Sequence, residues 1–270
     1  MRIVVTAGGT GGHIYPASTF ALYAHQQGAD IAWVGSEARM EKTLVEGMGI
    51  PFHGFHIERP SEHILWLPHD IHAWLAVRAF LKSYKPDCVV AAGGYISFFA
   101  VSAARNLGIP YFLMEQNAVP GRVTRMMQRK AVHVCTAFEE SIAWLTKKKN
   151  VIVTGNPVRS DIKTMRSERD RCVIMGGSLG ARAVNNAAVT LLNEGFFERN
   201  EIPVLWITGS RDYDTIRAAL KPNVAVELCE YRHDMDAVYA KARCMIARAG
   251  AMTVSECAVA GVPKVMVPYP

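Results

Sequence analysis

Two glycine-rich turns, each directly after a short apolar run, carry the residues of this chain best suited to chemistry. They are Thr6-Ala7-Gly8-Gly9-Thr10-Gly11-Gly12-His13 after Ile3-Val4-Val5, and Gly176-Gly177-Ser178-Leu179-Gly180-Ala181-Arg182 after Val173-Ile174-Met175. A strand that turns through glycines into a helix presents free backbone N–H groups and the positive end of the helix dipole, which suits phosphate or another anion. Two such turns, about a domain's length apart, predict two similar α/β halves facing one anionic ligand.

Composition narrows the class of protein. The 270 residues are half apolar and one-fifth charged, which is typical of a globular protein. No stretch approaches the roughly 18–20 apolar residues of a membrane span, and Met1-Arg2 runs directly into a predicted strand, so we expect no signal peptide. The net charge of +6 indicates an anionic partner, but no basic run is interleaved with aromatic residues, so nucleic acid is not expected. The six cysteines are scattered without a C-x-x-C pair, so we expect reduced thiols in a cytoplasmic protein.

Strand-like and helix-like segments alternate along the chain, which favours right-handed βαβ units and parallel sheets. Among the predicted helices are Pro16–Gln26, Glu139–Lys147 and Thr253–Ala260. The alternation breaks at Gly155-Asn156-Pro157-Val158-Arg159 and a polar stretch follows, which indicates a domain boundary. We predict two doubly wound, Rossmann-like domains, residues 1–158 and 159–270.

The sequence stops at Pro270, just after a predicted strand at Lys264–Val267. A doubly wound domain needs a helix to cover that face of the sheet. We therefore expect the complete protein to extend further, and we expect this 270-residue form to be poorly active by comparison.

The first turn lacks the third glycine of a dinucleotide fingerprint, because Ile14 stands in its place, so NAD binding is not favoured. The turn ends instead in His13, at the start of a predicted helix. There the positive end of the dipole disfavours the imidazolium and keeps the ring neutral and able to accept a proton. The alternative is that His13 merely caps the turn, and local sequence alone favours that alternative.

Glu256 is a second candidate with two interpretations. Thr253 and Glu256 have the spacing of a capping box, which is a structural role. The functional interpretation is a carboxylate that accepts hydrogen bonds from two neighbouring ribose hydroxyls. The residues alone leave both open.

Six motifs in order resemble one family. They are the first glycine turn, Gly93-Gly94-Tyr95, Glu115-Gln116-Asn117, Gly155 through Arg159, the second glycine turn, and Arg248 through Glu256. Over the whole chain they resemble the MurG family, N-acetylglucosaminyltransferases that convert lipid I to lipid II in bacterial peptidoglycan synthesis. The resemblance implies the GT-B fold, in which two Rossmann-like doubly wound parallel-sheet domains face a cleft.

The resemblance also implies a set of substrate-binding residues. In the N-terminal domain, which would face the acceptor and the membrane, Thr10, Gly11 and Gly12 would contact a diphosphate and Asn117 a sugar hydroxyl. Ser178 would also contact a diphosphate, and Arg159 would neutralise its charge. In the C-terminal domain the donor UDP-sugar would contact Ala251, Met252, Thr253, Val254, Ser255 and Glu256, with Glu256 on the ribose. The backbone at Tyr231-Arg232 would line the uracil pocket, although the family usually carries an aliphatic residue in place of Arg232.

The implied activity is that of an inverting hexosyltransferase, important for cell wall biogenesis, cell shape and cell division. It would transfer N-acetylglucosamine from UDP-N-acetylglucosamine to undecaprenyl-pyrophosphoryl-MurNAc-pentapeptide (lipid I). His13 would be the catalytic base, and backbone N–H groups with Arg159 would stabilise the leaving diphosphate, with no metal or other cofactor. Two alternatives are a UDP-N-acetylglucosamine 2-epimerase of the same fold and a non-catalytic nucleotide-sugar binder.

A predicted amphipathic segment suggests contact with a membrane. Its apolar residues are Leu65-Trp66-Leu67, Ile71, Trp74-Leu75, Val77 and Phe80, and its basic residues are Arg78, Lys82 and Lys85. The alternative is an ordinary core-facing helix. Because the family's acceptor carries a polyprenyl lipid, we expect a peripheral protein bound to anionic phospholipid on the cytoplasmic face of the bacterial inner membrane.

Five histidines in the same region do not predict a metal site. They are His53, His56, His63, His69 and His72. No cysteine accompanies them, and the nearby Asp70 faces away on a helix.

Overall fold

The computed structural model describes residues 1–37, 40–57, 68–163, 168–177 and 180–268. The chain divides into two compact units, Met1–Pro157 and Val158–Pro270, each built on its own parallel sheet. The division lies one residue before the boundary suggested by the sequence. Two parallel-sheet α/β units confirm the predicted fold class.

The first unit contains, in its described part, a seven-stranded sheet with helices between the strands. The strands are β1 (Arg2–Thr6), β2 (Asp30–Ser36), β3 (Phe52–Phe55), β4 (Cys88–Ala91), β5 (Tyr111–Glu115), β6 (Val134–Thr136) and β7 (Val151–Val153). Their order is β3-β2-β1-β4-β5-β6-β7, and each neighbouring pair is parallel. The helices are α1 (Gly11–Gln26), α2 (Met40–Gly47), α3 (Pro68–Tyr84), α4 (Tyr95–Leu107) and α5 (Arg122–Met127), with 3-10 turns at Gln128–Lys130 and Glu139–Trp144.

The second unit repeats this plan with a five-stranded sheet in the order β10-β9-β8-β11-β12. The strands are β8 (Arg171–Met175), β9 (Val204–Ile207), β10 (Glu227–Cys229), β11 (Ala242–Arg248) and β12 (Lys264–Val267). The helices of its described part are α6 (Arg182–Asn193), α7 (Phe196–Arg199), α8 (Tyr213–Ala219), α9 (Met235–Lys241) and α10 (Ala251–Ala260).

Each sheet is covered by apolar side chains on both faces. Successive residues of a strand point to opposite faces, so Val4 and Val5 of β1 belong to different core clusters. Val173 and Ile174 of β8 are divided in the same way. Burial on both faces explains why the central strands read as continuous apolar runs.

The helices predicted at Pro16–Gln26, Glu139–Lys147 and Thr253–Ala260 differ from the observed ones. α1 begins at Gly11 rather than at Pro16, because the carbonyl of Thr10 already accepts hydrogen bonds from His13 N (3.1 Å) and Ile14 N (3.2 Å). α10 likewise begins at Ala251 rather than at Thr253. The helix predicted at Glu139–Lys147 is a short 3-10 segment that ends at Trp144.

Two further observations concern the class of protein. Among the helices of the described ranges, none combines the length and apolar character needed to cross a membrane. All six cysteines are free thiols.

Candidate active site

The order of the strands directs attention to one position in each sheet. In the first sheet β2 and β3 lie on one side of β1, whereas β4 to β7 lie on the other, so the strand order reverses between β1 and β4. In the second sheet the reversal falls between β8 and β11. Ligands of open α/β sheets bind outside the carboxyl ends of the strands at such points.

At the first reversal, the turns after β1 and β4 touch. Gly94 has a φ of +80°, and a Cβ there would lie 2.3 Å from the carbonyl oxygen of Gly8. The buried Ser97 ties the turns together, since its Oγ lies 2.6 Å from the oxygen of Gly93 and 3.2 Å from that of Thr6. Glycine at position 94 is therefore required by the close approach of two backbones.

The N-terminus of α1 lies at this point and is open. Thr10 is the N-cap residue, and among the described residues no side chain caps the helix and its first turn has no acidic residue. The first N–H groups of a helix have no partner within it. The exposed turn at Thr10, Gly11 and Gly12 therefore has the chemistry of an anion site.

His13 follows directly in the first turn of α1. Its half-buried ring places Nδ1 3.2 Å from Oε1 of Gln116, the residue after β5. The turn itself is closed by the backbone N–H of His13, not by its ring. The ring thus contacts another strand's end, which the turn-capping interpretation does not require.

Asn117 also follows β5 and is oriented by a buried carboxylate. Oε1 of Glu115 accepts from Asn117 N at 3.1 Å and from Asn117 Nδ2 at 3.2 Å. Oε2 accepts from Gly121 N at 2.9 Å, at the N-cap of α5. Asn117 is exposed, so the remaining polar positions of its amide face solvent.

At the reversal of the second sheet, the turn after β8 begins with Gly176 and Gly177. Gly180 packs against the end of β9, where a Cβ would lie 2.3 Å from the oxygen of Thr208. Ser178, between these positions, lies outside the described residues.

The second strand at this reversal is β11, and it is followed by the N-terminus of α10. Gly250 is the N-cap residue, and in the described structure the helix has neither a side-chain cap nor an acidic residue in its first turn. Ala251, Met252, Thr253, Val254 and Ser255 are half-buried along it, and Ser255 Oγ donates back to Ala251 O at 2.9 Å. The capping-box interpretation of Thr253 and Glu256 is wrong, because the helix begins two residues before Thr253 and places both residues in its interior.

Glu256 is instead the centre of a buried polar cluster. Tyr239 donates its hydroxyl to Oε2 at 2.8 Å, and Arg159 Nη2 lies 3.4 Å from Oε1. Burial raises the pKa of the Glu256 carboxyl, while the charge of Arg159 and the hydrogen bond from Tyr239 oppose that rise. Burial and the neighbouring carboxylate raise the pKa of Tyr239, so its hydroxyl stays a donor. Two predicted site residues, Arg159 and Glu256, are thus brought together.

Arg232 lies apart from this cluster, just after the edge strand β10. Its guanidinium is held by Asp234 (Nη2 to Oδ2, 2.6 Å) and by Glu227 (Nη1 to Oε1, 3.1 Å). The hydrogen bond to Asp234 is the main reason that the pKa of Arg232 is raised. These acids hold the side chain, so only the backbone remains for the role inferred from the sequence.

Gln116, which contacts His13, and Tyr239, which contacts Glu256, had no role in the sequence interpretation. Gln116 belongs to a quoted motif, but its contact with a residue 103 positions away has no local signal. Tyr239 lies within the short helix α9 among apolar residues and resembles an ordinary core tyrosine. In the described part of the chain, no group of three or more His, Cys, Asp or Glu side chains could hold a metal ion. His63 and the side chain of His69 lie outside that part.

Comparison with known proteins agrees with this architecture. Residues 3–136 match the glycosyltransferase family 28 N-terminal domain, and residues 171–270 match the C-terminal domain of that family. A relative from Caldanaerobacter subterraneus, named UDP-N-acetylglucosamine–N-acetylmuramyl-(pentapeptide) pyrophosphoryl-undecaprenol N-acetylglucosamine transferase, is 36% identical over all of this chain and 80% of its own length.

Solved structures give the same result. MurG of Acinetobacter baumannii superposes with a TM-score of 0.75 at 33% identity, over 100% of this chain and 78% of that one. A UDP-GlcNAc 2-epimerase of Neisseria meningitidis reaches a TM-score of 0.69 over 98% of this chain and 82% of that one, but at 15% identity. That second likeness shows the fold alone.

Two Rossmann-like units with open helix N-termini at the strand-order reversals are the architecture of the GT-B glycosyltransferases. The chain belongs to glycosyltransferase family 28 and, within it, to the MurG family.

Proposed function

We propose that this chain is an inverting glycosyltransferase that transfers N-acetylglucosamine from UDP-N-acetylglucosamine to lipid I, giving lipid II for peptidoglycan synthesis. Its relative from Caldanaerobacter is named for these substrates and is 36% identical over the whole chain. The structural observation that supports the proposal best is His13, which stands beside the open N-terminus of α1. A base next to an anion site is what attack on a sugar diphosphate requires.

The chemistry follows from the charges involved. His13 takes the proton of the acceptor hydroxyl while that oxygen forms a bond to the anomeric carbon. The bond from this carbon to the UDP oxygen breaks, and UDP leaves with the electron pair. Backbone N–H groups stabilise diphosphate charge at the turn of Thr10, Gly11 and Gly12 in the first unit, and those of the turn that contains Ser178 do so in the second. Asn117 holds a sugar hydroxyl.

The second unit binds the donor. The open start of α10, from Ala251 to Ser255, receives phosphate, and Glu256 accepts hydrogen bonds from the ribose hydroxyls. Arg159, 3.4 Å from Glu256, adds positive charge beside the diphosphate. The backbone at Tyr231-Arg232 lines the uracil pocket.

The first unit binds anionic phospholipid on the cytoplasmic face of the inner membrane. On α3, Ile71 and Leu75 are 46% and 48% exposed, and Lys82 is exposed on the same helix. Trp74 belongs to the packing instead, because its Nε1 donates to Ser102 Oγ of α4 at 3.0 Å and Val77 is fully buried. The apolar stripe seen in the sequence therefore divides into a core face and an exposed face.

The test is turnover with UDP-N-acetylglucosamine and a lipid I analogue, followed by identification of the product. The His13→Ala variant should lose roughly 10²–10⁴ in single-turnover rate with little change in donor affinity, because the base acts only in the reaction.

His25→Ala is the matched control, since His25 lies at the other end of α1 and its ring nitrogen Nδ1 lies 3.2 Å from the local carbonyl oxygen of Ala29. A free 2-epimer of the sugar would identify an epimerase. Donor binding without any turnover would identify a nucleotide-sugar binder, and either result would contradict the proposal.

A further inference from the structure

The contact between Gln116 and His13 determines which ring nitrogen of the histidine is able to accept a proton. Gln116 is 2% exposed, and its Oε1 lies 3.2 Å from Nδ1 of His13. A neutral imidazole carries one N–H, and the partner of one nitrogen decides which of the two holds it.

The orientation of the Gln116 amide follows from its second contact. Its Nε2 donates to the carbonyl oxygen of Met114, 3.3 Å away. With the amide turned over, two oxygens that only accept hydrogen bonds would face each other at this position, which disfavours that orientation. Oε1 of Gln116 therefore faces His13, and Nδ1 of His13 is the nitrogen that carries the proton.

The residues at the Nδ1 edge of the ring are themselves held by other contacts. Gly93 lies against the Nδ1 edge, where a Cβ on that glycine would be 2.9 Å from Nδ1 of His13. Gly93 is held by Ser97, whose Oγ lies 2.6 Å from its carbonyl oxygen. Gln116 is held through its backbone, because its carbonyl oxygen accepts from Asn156 Nδ2 at 3.2 Å. The backbone around the ring thus keeps Nδ1 directed at the amide.

We propose that Gln116 is a positioning residue for the transfer reaction: it holds neutral His13 with the proton on Nδ1 and leaves Nε2 free to accept. The inference rests on the proposed function. In the reaction Nε2 takes the acceptor hydroxyl proton as the new C–O bond forms, UDP departs with the electron pair of the broken bond, and Nε2 then releases the proton to water. Because the amide is uncharged, it orients the ring without placing negative charge beside the anion-binding turn.

The first test is ¹⁵N NMR of the histidine rings at a pH where they are neutral, with His13 assigned from the spectrum of His13→Ala. We expect the protonated-Nδ1 tautomer for His13. His25 is an internal standard, because its Nδ1 lies 3.2 Å from the carbonyl oxygen of Ala29, which can only accept. In Gln116→Leu the His13 signals should move toward the protonated-Nε2 form, whereas those of His25 should not change. A protonated Nε2 on His13 in the wild-type protein would overturn the inference.

The second test separates positioning from binding. Gln116→Leu should lower kcat by about ten- to a hundredfold, the size of effect seen when the partner that orients a metal-bound histidine is removed. The Kd of UDP-N-acetylglucosamine should stay within about twofold, since the histidine acts after binding. Gln116→Glu keeps an acceptor oxygen toward Nδ1, so His13 should remain protonated at Nδ1 in its ¹⁵N spectrum, although the second carboxylate oxygen then faces the carbonyl of Met114 and should lower the melting temperature.

An unchanged kcat in Gln116→Leu, or a loss of donor affinity as large as the loss of kcat, would contradict the role of Gln116. A wild-type chain without transfer activity would contradict the proposed function alone. The tautomer of His13 is measured without turnover, so the two failures are distinguishable.

Discussion

At the scale of single residues, Glu256 shows how burial and function combine in one carboxylate. It lies inside α10, yet both of its oxygens have partners, Tyr239 and Arg159. A buried carboxylate is stable only when such partners compensate for lost hydration. The three residues therefore act as one unit in the proposed donor site.

The affinity for UDP-N-acetylglucosamine should depend on pH through Glu256. Its pKa is raised above the ordinary 4.5 by burial, so protonation begins at a higher pH than for an exposed glutamate. As the pH falls through this raised pKa, the carboxylate loses its charge and donor affinity should fall. The same protonation has the opposite effect on stability, because the raised pKa means that the folded protein binds the proton more tightly. This stabilisation of the folded state is fully present below the pKa of Glu256 in the unfolded chain, and it is lost as the pH rises through the pKa in the folded protein.

Calorimetric titrations across this pH range check the prediction. Glu256→Gln should bind about ten- to a hundredfold more weakly at neutral pH, through loss of a charge-assisted acceptor, and should show no such pH dependence. Donor affinity that is identical in this variant and in the wild type would exclude the ribose-binding role.

Tyr239→Phe should move the same pH dependence upward. The hydroxyl donates to Oε2 at 2.8 Å and favours the ionised carboxylate, so its removal makes protonation easier. The cost to stability should be about 1–3 kcal/mol, because Oε2 is left buried without this donor.

Tyr111→Phe in the first unit is the matched control, since its buried hydroxyl donates to the carbonyl of Met127 at 2.8 Å. It should lose stability without any change in the pH dependence of binding. A downward shift in Tyr239→Phe would mean that the hydroxyl does not support the charge of Glu256.

At the scale of elements, the sequence predicted most strands and the parallel sheets because continuous apolar runs separated by helices have few other solutions. Helix starts were less predictable. Pro16 suggested a first turn that the structure places at Gly11, and Thr253 suggested an N-cap that lies inside α10. Without side-chain caps at either helix, no local signal marked these starts.

The candidate site was predictable only in part for a related reason. His13, Arg159 and Glu256 stand in recognisable motifs, whereas the partners Gln116 and Tyr239 are defined by contacts across 103 and 17 positions of the chain. Such partners depend on which strand ends and helices lie side by side. That information is contained in the tertiary structure, not in local spacing.

The contact between the turns after β1 and β4 should be intolerant of any side chain at position 94. Gly94→Ala combines a φ of +80° with a Cβ 2.3 Å from the oxygen of Gly8, so one of the turns must move. Its φ of 80° with a ψ of 156° lies in a region that is essentially restricted to glycine, which costs about 1–3 kcal/mol for an alanine. We expect a lower melting temperature and a loss of transfer rate, because displacement of either turn also displaces the ring of His13.

Gly28→Ala is the control for the cost of placing an alanine at a positive φ without a steric clash. Gly28 has a φ of +85° with no atom within 4 Å of the added Cβ. It should lose some stability through its positive φ, with no loss of transfer rate. Equal rates and equal melting temperatures in the two variants would show that the turns after β1 and β4 are not coupled.

At the scale of the whole molecule, charge and exposed apolar area together support attachment to a membrane surface. The net charge is +6, and interfacial binding combines attraction to anionic headgroups with burial of apolar side chains. A cavity of about 440 Å³ lies beside α3 and α4 and is lined by Trp74, Phe98, Met126 and Arg105 among others. Met126 itself is 61% exposed.

Replacing Ile71 and Leu75 together by serine should weaken binding to vesicles that contain anionic phospholipid. The two side chains are 46% and 48% exposed, so their removal should leave the fold and UDP-N-acetylglucosamine binding intact. Burial of each half-exposed side chain in the interface contributes on the order of 1 kcal/mol, which predicts roughly a tenfold or larger loss of vesicle affinity. Sedimentation with vesicles at low and high salt measures the vesicle affinity. Salt should weaken the electrostatic attraction to the vesicles equally in the wild type and in the double serine variant.

The double serine variant of Ile152 and Val153 on β7 is the matched control, because these residues are 44% and 42% exposed in the same unit but do not lie on α3. It should bind vesicles like the wild type. Equal losses in the two double variants would show that exposed apolar area anywhere on the unit suffices, and an unchanged affinity in the α3 variant would remove that helix from the membrane contact. Trp74→Ser gives the opposite pattern: because Trp74 packs between α3 and α4, its loss should lower the melting temperature first.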